Sequence, residues 1–171
     1  MSVRIRSELP ADAGGVREVL AAAFPTEAEA RLVEALRGAA RACVSLVADG
    51  AGGRLVGHIL FTPVEIRSAT PVAGAFGLAP LAVSPGCQRR GVGSELVRAG
   101  LAACRGIGAR AVVVLGHPTY YPRFGFAPAW DFGLYHRAPG ANPAFMVAEL
   151  EAGALRDRAG EVRYHPAFDA L

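Results

Sequence analysis

The residues of this chain best suited to chemistry lie in the segment Leu81-Ala82-Val83-Ser84-Pro85-Gly86-Cys87-Gln88-Arg89-Arg90-Gly91-Val92-Gly93-Ser94. An apolar run ends there, and a short loop leads into a helix-like pattern. Backbone N–H groups in the first turn of a helix have no internal acceptor and carry partial positive charge, so they can hold phosphate oxygens. Gly91 and Gly93 allow close approach to the backbone, and Arg89 and Arg90 add permanent charge. The segment predicts a pyrophosphate-binding loop.

Two common nucleotide-binding loops do not fit this segment. The Walker pattern requires a lysine, which the chain lacks, and the dinucleotide fingerprint requires a third glycine where Leu96 stands. The residues Gln88 to Gly93 instead fit the pattern Gln/Arg-x-x-Gly-x-Gly/Ala, which resembles the acetyl-CoA loop of the GNAT superfamily of N-acetyltransferases. An ordinary glycine-rich helix start with exposed arginines would show the same pattern. The flanking elements must therefore distinguish a phosphate-binding loop from such a helix start.

The flanking elements favour a ligand site. Residues 76–83 predict a strand, and Pro80 within it cannot donate to a sheet ladder, so the strand must bulge or lack a partner there. After the loop, apolar residues recur at helical spacing as far as Gly106, and residues 111–115 predict a buried strand. Such a crossover places the loop at the carboxyl end of the first strand, where open α/β sheets bind ligands.

A second motif follows in the segment Gly116-His117-Pro118-Thr119-Tyr120-Tyr121-Pro122-Arg123-Phe124-Gly125-Phe126. It resembles the short helix and Gly-Phe step after the same strand in GNAT enzymes, where a tyrosine often stands four residues before the glycine. Tyr121 holds that position. The resemblance covers residues 3–126 in element order and is closest to bacterial acetyltransferases.

The resemblance implies acetyl-CoA as cosubstrate and direct attack by a primary amine. It places the pantetheine arm on the backbone of Leu81, Ala82 and Val83. It also assigns the pyrophosphate to a larger set, Gln88, Arg89, Arg90, Gly91, Val92, Gly93 and Ser94. Tyr121 would be the general acid, because a phenol stays protonated at neutral pH and can donate to a thiolate. A core aromatic with a bonded hydroxyl is the structural alternative for Tyr121.

Several questions stay open at this stage. The general base could be water or any of five side chains, namely His58, Glu65, His117, Asp131 and His136. The acceptor could be a small-molecule or a peptide amine, and other acyl-CoAs could serve as donors. A homodimer is one of several oligomeric states that the sequence allows. The alternative function is a non-catalytic acyl-CoA-binding or sensing module that uses the same loop.

Composition narrows the class of protein. The 171 residues are 52% hydrophobic and 19% charged, which predicts a folded globule. The net charge is +3, but the arginines are spread along the chain without a basic block, so nucleic-acid binding is not expected. No metal-ligand motif is present, so no metal cofactor is expected. The composition, rich in alanine, glycine and arginine, suggests a bacterial source.

Location is predicted from the same features. No apolar stretch is long enough for a membrane span, and a signal-peptide core is lacking. Three cysteines at scattered positions, Cys43, Cys87 and Cys104, suggest reduced thiols. We therefore expect a cytoplasmic protein that does not bind membranes.

The complete pattern predicts an α+β fold and a single N-acetyltransferase domain over residues 1–171. We expect a mixed, mostly antiparallel central sheet of about six to seven strands, with one parallel β-α-β crossover and helices on both faces. The acetyl-CoA-binding core would span about residues 76–126, and residues 127–171 would form the acceptor side. Asp12 is expected to cap a first helix, and Thr26 to open a second through a capping box. Further strands are expected at residues 3–6, 43–48, 54–66, 132–135, 144–150 and 162–164.

Overall fold

The computed structural model describes residues 2–39 and 44–171. The described chain contains three α-helices, namely α1 (Ala13–Ala23), α2 (Ala28–Ala39) and α3 (Val92–Gly106). Its strands are β1 (Arg4–Ser7), β2 (Val44–Asp49), β3 (Leu55–Pro63), β4 (Glu65–Arg67), β5 (Ala75–Val83), β6 (Ala111–Leu115), β7 (Ala127–Pro128), β8 (Leu134–Tyr135), β9 (Phe145–Glu149) and β10 (Gly160–Arg163).

The strands form two sheets. Seven strands follow the order β1-β2-β3-β5-β6-β9-β7, and three form a smaller sheet in the order β4-β10-β8. In the larger sheet the β5–β6 pair is parallel and is joined by α3, whereas the β1–β2, β2–β3, β6–β9 and β7–β9 pairs are antiparallel. The predicted α+β class and mostly antiparallel sheet with a parallel crossover are confirmed. Within the described residues, no helix has the length and apolar character needed to cross a membrane.

The chain divides into two compact units. The first comprises Met1–Phe61, Pro80–Ala102 and Pro166–Leu171. Its core combines α1 and α2 with the first strands, because α1 presents Val16, Val19 and Leu20 at helical spacing and buries all three. Two residues of β3 and α3, Phe61 and Leu96, are fully buried in the same unit.

The second unit comprises Thr62–Ala79 and Ala103–His165. In it the first residues of β5 pair with β6, and β6 pairs with β9 along its whole length. Alternate residues of β6 and β9 on one face, including Val113 and Phe145, pack with Val162 of β10 in one hydrophobic core.

The structure corrects several local expectations. Asp12 makes no capping bond to α1, because its carboxylate instead accepts hydrogen bonds from Arg6 at 2.7 and 3.0 Å and from the Leu9 amide at 2.7 Å. Of the predicted capping box at α2, the structure contains a hydrogen bond from the Ala28 amide to Thr26 Oγ1 at 3.2 Å.

Strand boundaries are corrected as well. The strand expected over residues 54–66 is two strands, since β3 ends at Pro63 and β4 pairs with the distant β10. The strand expected at 132–135 is shortened to β8 by a 3₁₀ turn over Ala129–Phe132. Cys43, expected at the start of β2, lies outside the described residues.

Candidate functional site

The glycine-rich loop leaves β5 from a fixed point. The Ser84 amide donates to the Val56 carbonyl of β3 at 2.9 Å, and the Cys87 amide donates to the Ser84 carbonyl at 2.8 Å. The Gln88 side chain then reaches back, with Nε2 donating to the Val83 carbonyl at 3.0 Å. The loop is therefore attached to the strand end both through its backbone and through Gln88. The sequence pattern indicated Gln88 but not this bond.

Backbone conformation turns the loop toward a possible anion. Arg89 and Gly91 both adopt left-handed conformations, with φ of 59° and 86°. Successive N–H groups in such turns can converge on one anion. Arg89 is unusual in this respect because it is not a glycine, and residues held in sparsely populated backbone regions cluster at functional sites. A Cβ at Gly91 would meet nothing within 4 Å, so the glycine serves the conformation of the loop rather than its packing.

Helix α3 begins directly after the loop. Its first backbone hydrogen bond runs from the Glu95 amide to the Gly91 carbonyl at 3.0 Å. The amides of Val92 and Gly93 precede this bond, so no carbonyl within the helix accepts a hydrogen bond from them. Gln88 and both arginines are exposed, Gly93 and Ser94 are half-buried, and Val92 is buried. The helix start thus combines a buried anchor with exposed cations and backbone donors.

Close packing fixes α3 in the first unit. A Cβ added to Gly100 would lie 2.2 Å from the ring of Phe61, and one added to Gly57 of β3 would lie 2.8 Å from Leu96. Only glycine at both positions allows the helix and strand to approach this closely. The position of the helix start is therefore set by a rigid contact. The role of these two glycines was not predictable from the sequence, because a contact between distant segments leaves no local pattern.

The end of β5 offers an open strand edge. Its ladder with β6 contains three pairs, from Ala75 with Ala111 to Gly77 with Val113, while β5 continues to Val83. Pro80 lies in the part of β5 without β6 pairing, as its missing N–H predicts. In this part Ala82 is buried, whereas Leu81 and Val83 are half-buried. Their side chains pack while the backbone edge beyond Gly77 remains without a β6 partner.

Tyr121 begins a short 3₁₀ turn in the second unit. The turn spans Tyr121–Phe124 and ends at Gly125, whose φ is 94°. The Tyr121 ring covers Gly116, where an added Cβ would lie 2.4 Å from the ring. The ring also makes edge-to-face contacts with the rings of Tyr120 and Phe126, with centroid distances of 5.1 and 5.6 Å. The tyrosine is 7% exposed, yet its hydroxyl has no hydrogen-bond partner within the described chain and is not sealed from solvent.

This environment keeps the phenol protonated. Burial disfavours the phenolate, and the neighbouring Tyr120 adds to the effect, so the pKa of Tyr121 rises to about 12. At neutral pH the side chain is therefore a proton donor. The described protein provides no acceptor for this hydroxyl, which reaches solvent and can bond to water or to a ligand.

His58 is closed off from solvent in the structure. It is fully buried in β3, where Nε2 lies 2.9 Å from Ser45 Oγ and 3.4 Å from Glu8 Oε2. Glu8 also accepts hydrogen bonds from Ser45 and Arg37. The cluster of Glu8, Arg37, Ser45 and His58 was not predictable from local sequence patterns, because its members come from four separate segments.

The other four base candidates differ in how they are held. Glu65 is exposed and pairs with Arg67 at 3.3 Å, and His117 and Asp131 are exposed. His136 is half-buried, and its Nδ1 lies 3.1 Å from the Val162 carbonyl. Among the described residues, no group of three or more side chains could hold a metal ion. Of the described cysteines, Cys87 is half-buried and Cys104 buried, and both are free thiols.

Comparison with known proteins places this geometry in context. Residues 4–129 match the family described as acetyltransferase (GNAT) domain. The uncharacterized N-acetyltransferase YhbS of Escherichia coli strain K12 is 38% identical over 165 residues, which cover 96% of this chain and 98% of that protein. The uncharacterized N-acetyltransferase YjhQ of the same organism is 45% identical over 119 residues, covering 68% of this chain and 65% of that protein.

Solved structures agree with these relatives. The crystal structure of Escherichia coli YhbS in complex with CoA has a TM-score of 0.89 at 38% identity, covering 98% of this chain and 92% of that one. A GNAT family acetyltransferase from Brucella melitensis in complex with acetyl-CoA has a TM-score of 0.79 at 38% identity, covering 98% and 99% of the two chains.

Proposed function

This chain belongs to the GNAT family of acetyltransferases, and we propose that its glycine-rich loop binds the pyrophosphate of acetyl-CoA for direct transfer of the acetyl group to a primary amine. The protein is an acetyl-CoA-dependent N-acetyltransferase. The observation that carries the proposed site is the start of α3, where left-handed turns at Arg89 and Gly91 precede a helix whose first amides have no helical acceptor.

Each part of the loop has a role in holding the coenzyme. The amides of Val92 and Gly93 donate to the pyrophosphate, with Ser94 completing the first helical turn. Arg89 and Arg90 neutralise its charge, and Gln88 holds the loop in position through its bond to the Val83 carbonyl. Gly91 supplies the turn, since its φ of 86° suits glycine.

The pantetheine arm lies along the open edge of β5. Backbone groups of Leu81, Ala82 and Val83 pair with its amides as a neighbouring strand would, and they polarise the thioester carbonyl. This assignment is supported by the β5–β6 ladder, which ends at Gly77 and leaves the later backbone of β5 without β6 pairing. The side chains of the three residues contribute packing only.

Tyr121 donates a proton to the departing thiolate. The amine nitrogen attacks the thioester carbon, the C–S bond breaks, and the phenol donates its hydrogen to sulfur. A phenol with a pKa of about 12 is a weak acid, so it first donates a hydrogen bond to the sulfur and transfers its proton as the C–S bond breaks. Hydrogen bonding from Tyr121 therefore stabilises the leaving group as the charge develops.

The remaining assignments concern the whole protein. Residues 1–171 form one N-acetyltransferase domain, with the acetyl-CoA-binding core at about 76–126 and the acceptor side at 127–171. The acceptor is a small-molecule or peptide amine. A cytoplasmic bacterial protein is supported by the free thiols of Cys87 and Cys104 and by relatives from Escherichia coli.

A panel of primary amines tests this function. After calorimetry establishes acetyl-CoA binding, release of the CoA thiol is followed with small amines, amino acids, polyamines, aminoglycosides and peptides. We expect one class to give saturable release together with the acetylated amine. Tight acetyl-CoA binding without acetylation of any class would favour a sensing module, and absence of binding would contradict the proposed site.

A further inference from the structure

The imidazole of His136 is held in one tautomer by the backbone. Its Nδ1 lies 3.1 Å from the carbonyl oxygen of Val162. A carbonyl oxygen can only accept a hydrogen bond, so Nδ1 must carry the hydrogen. In the neutral ring, Nε2 then presents a lone pair. The parallel pairing of β8 with β10 sets this contact. Tyr135 stands opposite Glu161, so the residues that follow them, His136 and Val162, lie side by side and form the hydrogen bond.

Aromatic contacts fix the orientation of the ring. The His136 ring meets the Tyr164 ring edge-on, with centroids 5.1 Å apart, and lies 5.9 Å from the Phe145 ring at an angle of 35°. Within residues 2–39 and 44–171, Nε2 has no hydrogen-bond partner and is not sealed from solvent. The structure thus positions a basic nitrogen and leaves its lone pair available.

Backbone connections place His136 near the same strand end as Tyr121. Phe145, against which His136 packs, pairs with Leu115, the last residue of β6. The next amide, that of Gly116, donates to the Ala144 carbonyl at 2.9 Å, and the Tyr121 ring covers Gly116. Both side chains therefore belong to the second unit and approach the carboxyl end of β6.

The side chains packed against His136 are aromatic and carry no charge at neutral pH. The His136 ring contacts the apolar Phe145 of β9 and Tyr164, which follows β10. Burial raises the pKa of the Tyr164 phenol, so this side chain is uncharged at neutral pH. The described contacts of the ring contain no carboxylate and no guanidinium. The ring consequently has no fixed ionic partner that would compete with an incoming ammonium group.

We propose that His136 is the general base of the transfer, an inference that rests on the proposed function. Nε2 first removes a proton from the bound ammonium group, and the resulting amine attacks the thioester carbon. The C–N bond forms, the C–S bond breaks, and the thiolate takes a proton from Tyr121. The new amide nitrogen gives its surplus proton to the tyrosinate through solvent, and the imidazolium releases its proton to solvent, so the net products are the amide, the CoA thiol and one proton.

The variant His136→Asn tests this role with little disturbance of the fold. The asparagine amide can replace Nδ1 as donor to the Val162 carbonyl, but it provides no base in place of Nε2. We expect its melting temperature and acetyl-CoA affinity, measured by calorimetry, to match those of the wild type. His165→Asn, the same change at a histidine outside the proposed site, is the matched control.

Two isosteric acceptors separate base catalysis from a structural role. Ethylamine is protonated at neutral pH and must lose a proton before it attacks, whereas methoxyamine, of similar size, is already neutral. We expect His136→Asn to lower kcat/KM for ethylamine by about 100-fold and to lower that for methoxyamine much less. A purely structural defect would lower both equally and would overturn the proposal, as would an unchanged rate for ethylamine.

A second measurement does not depend on the acceptor. Nitrogen-15 spectra of the histidine rings report which nitrogen carries the hydrogen at neutral charge. The proposal requires Nδ1–H at His136, and an Nε2–H tautomer would overturn it. Failure of acetyl-CoA to bind the wild-type protein would instead contradict the proposed function, so the two failures are distinguishable.

Discussion

Tyr121 illustrates how a single side chain can be buried and still be chemically available. Its ring is enclosed by Gly116, Tyr120 and Phe126, which raises the pKa of the phenol to about 12. Its hydroxyl nevertheless has no acceptor within the described chain and reaches solvent. A hydroxyl in this position can donate to water or to a bound ligand.

Replacing Tyr121 with phenylalanine should therefore slow acetyl transfer and leave acetyl-CoA binding nearly unchanged. We expect Tyr121→Phe to lower kcat by about 100-fold, because the ring packing is kept while the proton donor is lost. Acetyl-CoA affinity, measured by calorimetry, should stay within about twofold of the wild type. Tyr135→Phe is the matched control, and turnover by Tyr121→Phe equal to that of the wild type would refute the assignment of the acid.

At the scale of elements, the loop and α3 were the best predicted part of the chain. Glycines, arginines and helical periodicity are local signals, and they located the helix start and the following strand. The division of β3 from β4 was not predictable in this way, because β4 pairs with β10 almost a hundred residues later. Asp12 was misassigned for a similar reason, since its partner Arg6 lies on the preceding strand.

The turn at Gly91 provides a test of the loop as an element. We expect Gly91→Ala to weaken acetyl-CoA binding by about fivefold, because alanine disfavours the φ of 86° by roughly 1 kcal/mol. Gly86→Ala is the matched control, since a Cβ there also meets nothing within 4 Å and its φ is not positive. Equal affinities of the two variants in calorimetry would show that the turn at Gly91 does not support the phosphate site.

At the scale of the whole molecule, the chain divides into two compact units. The first contains the proposed phosphate loop and a partly buried polar cluster of Glu8, Arg37, Ser45 and His58, and the second contains Tyr121 and His136. The GNAT family was recognisable from residues 81–126, because two local motifs occur there in order. The polar cluster and the tautomer of His136 depend on pairing between distant strands, which no local pattern records.

The partly buried polar cluster should make folding sensitive to acid. Burial would raise the pKa of Glu8, but hydrogen bonds with His58 and Ser45 and attraction by Arg37 outweigh it and lower the pKa from 4.5 to about 2. A lowered carboxyl pKa stabilises the folded state above the unfolded value, and that stability is lost as pH falls through 4.5 toward 2.

Urea unfolding of the wild type and Glu8→Gln would measure this contribution. Between about pH 6 and pH 3 we expect the wild type to lose about 1 kcal/mol more than the variant, roughly half of the unscreened value because solvent screens this partly exposed group. The variant should be less stable at pH 6, where the carboxylate is ionised in the wild type. Parallel pH dependences of the two proteins would show that Glu8 does not carry the stabilising charge.

The most direct test of the proposed site is a crystal structure of this protein with acetyl-CoA. We predict that oxygens of the pyrophosphate lie about 2.7–3.2 Å from the amide nitrogens of Val92 and Gly93, with Arg89 or Arg90 beside them. A coenzyme bound with its pyrophosphate away from residues 88–94 would contradict the proposal.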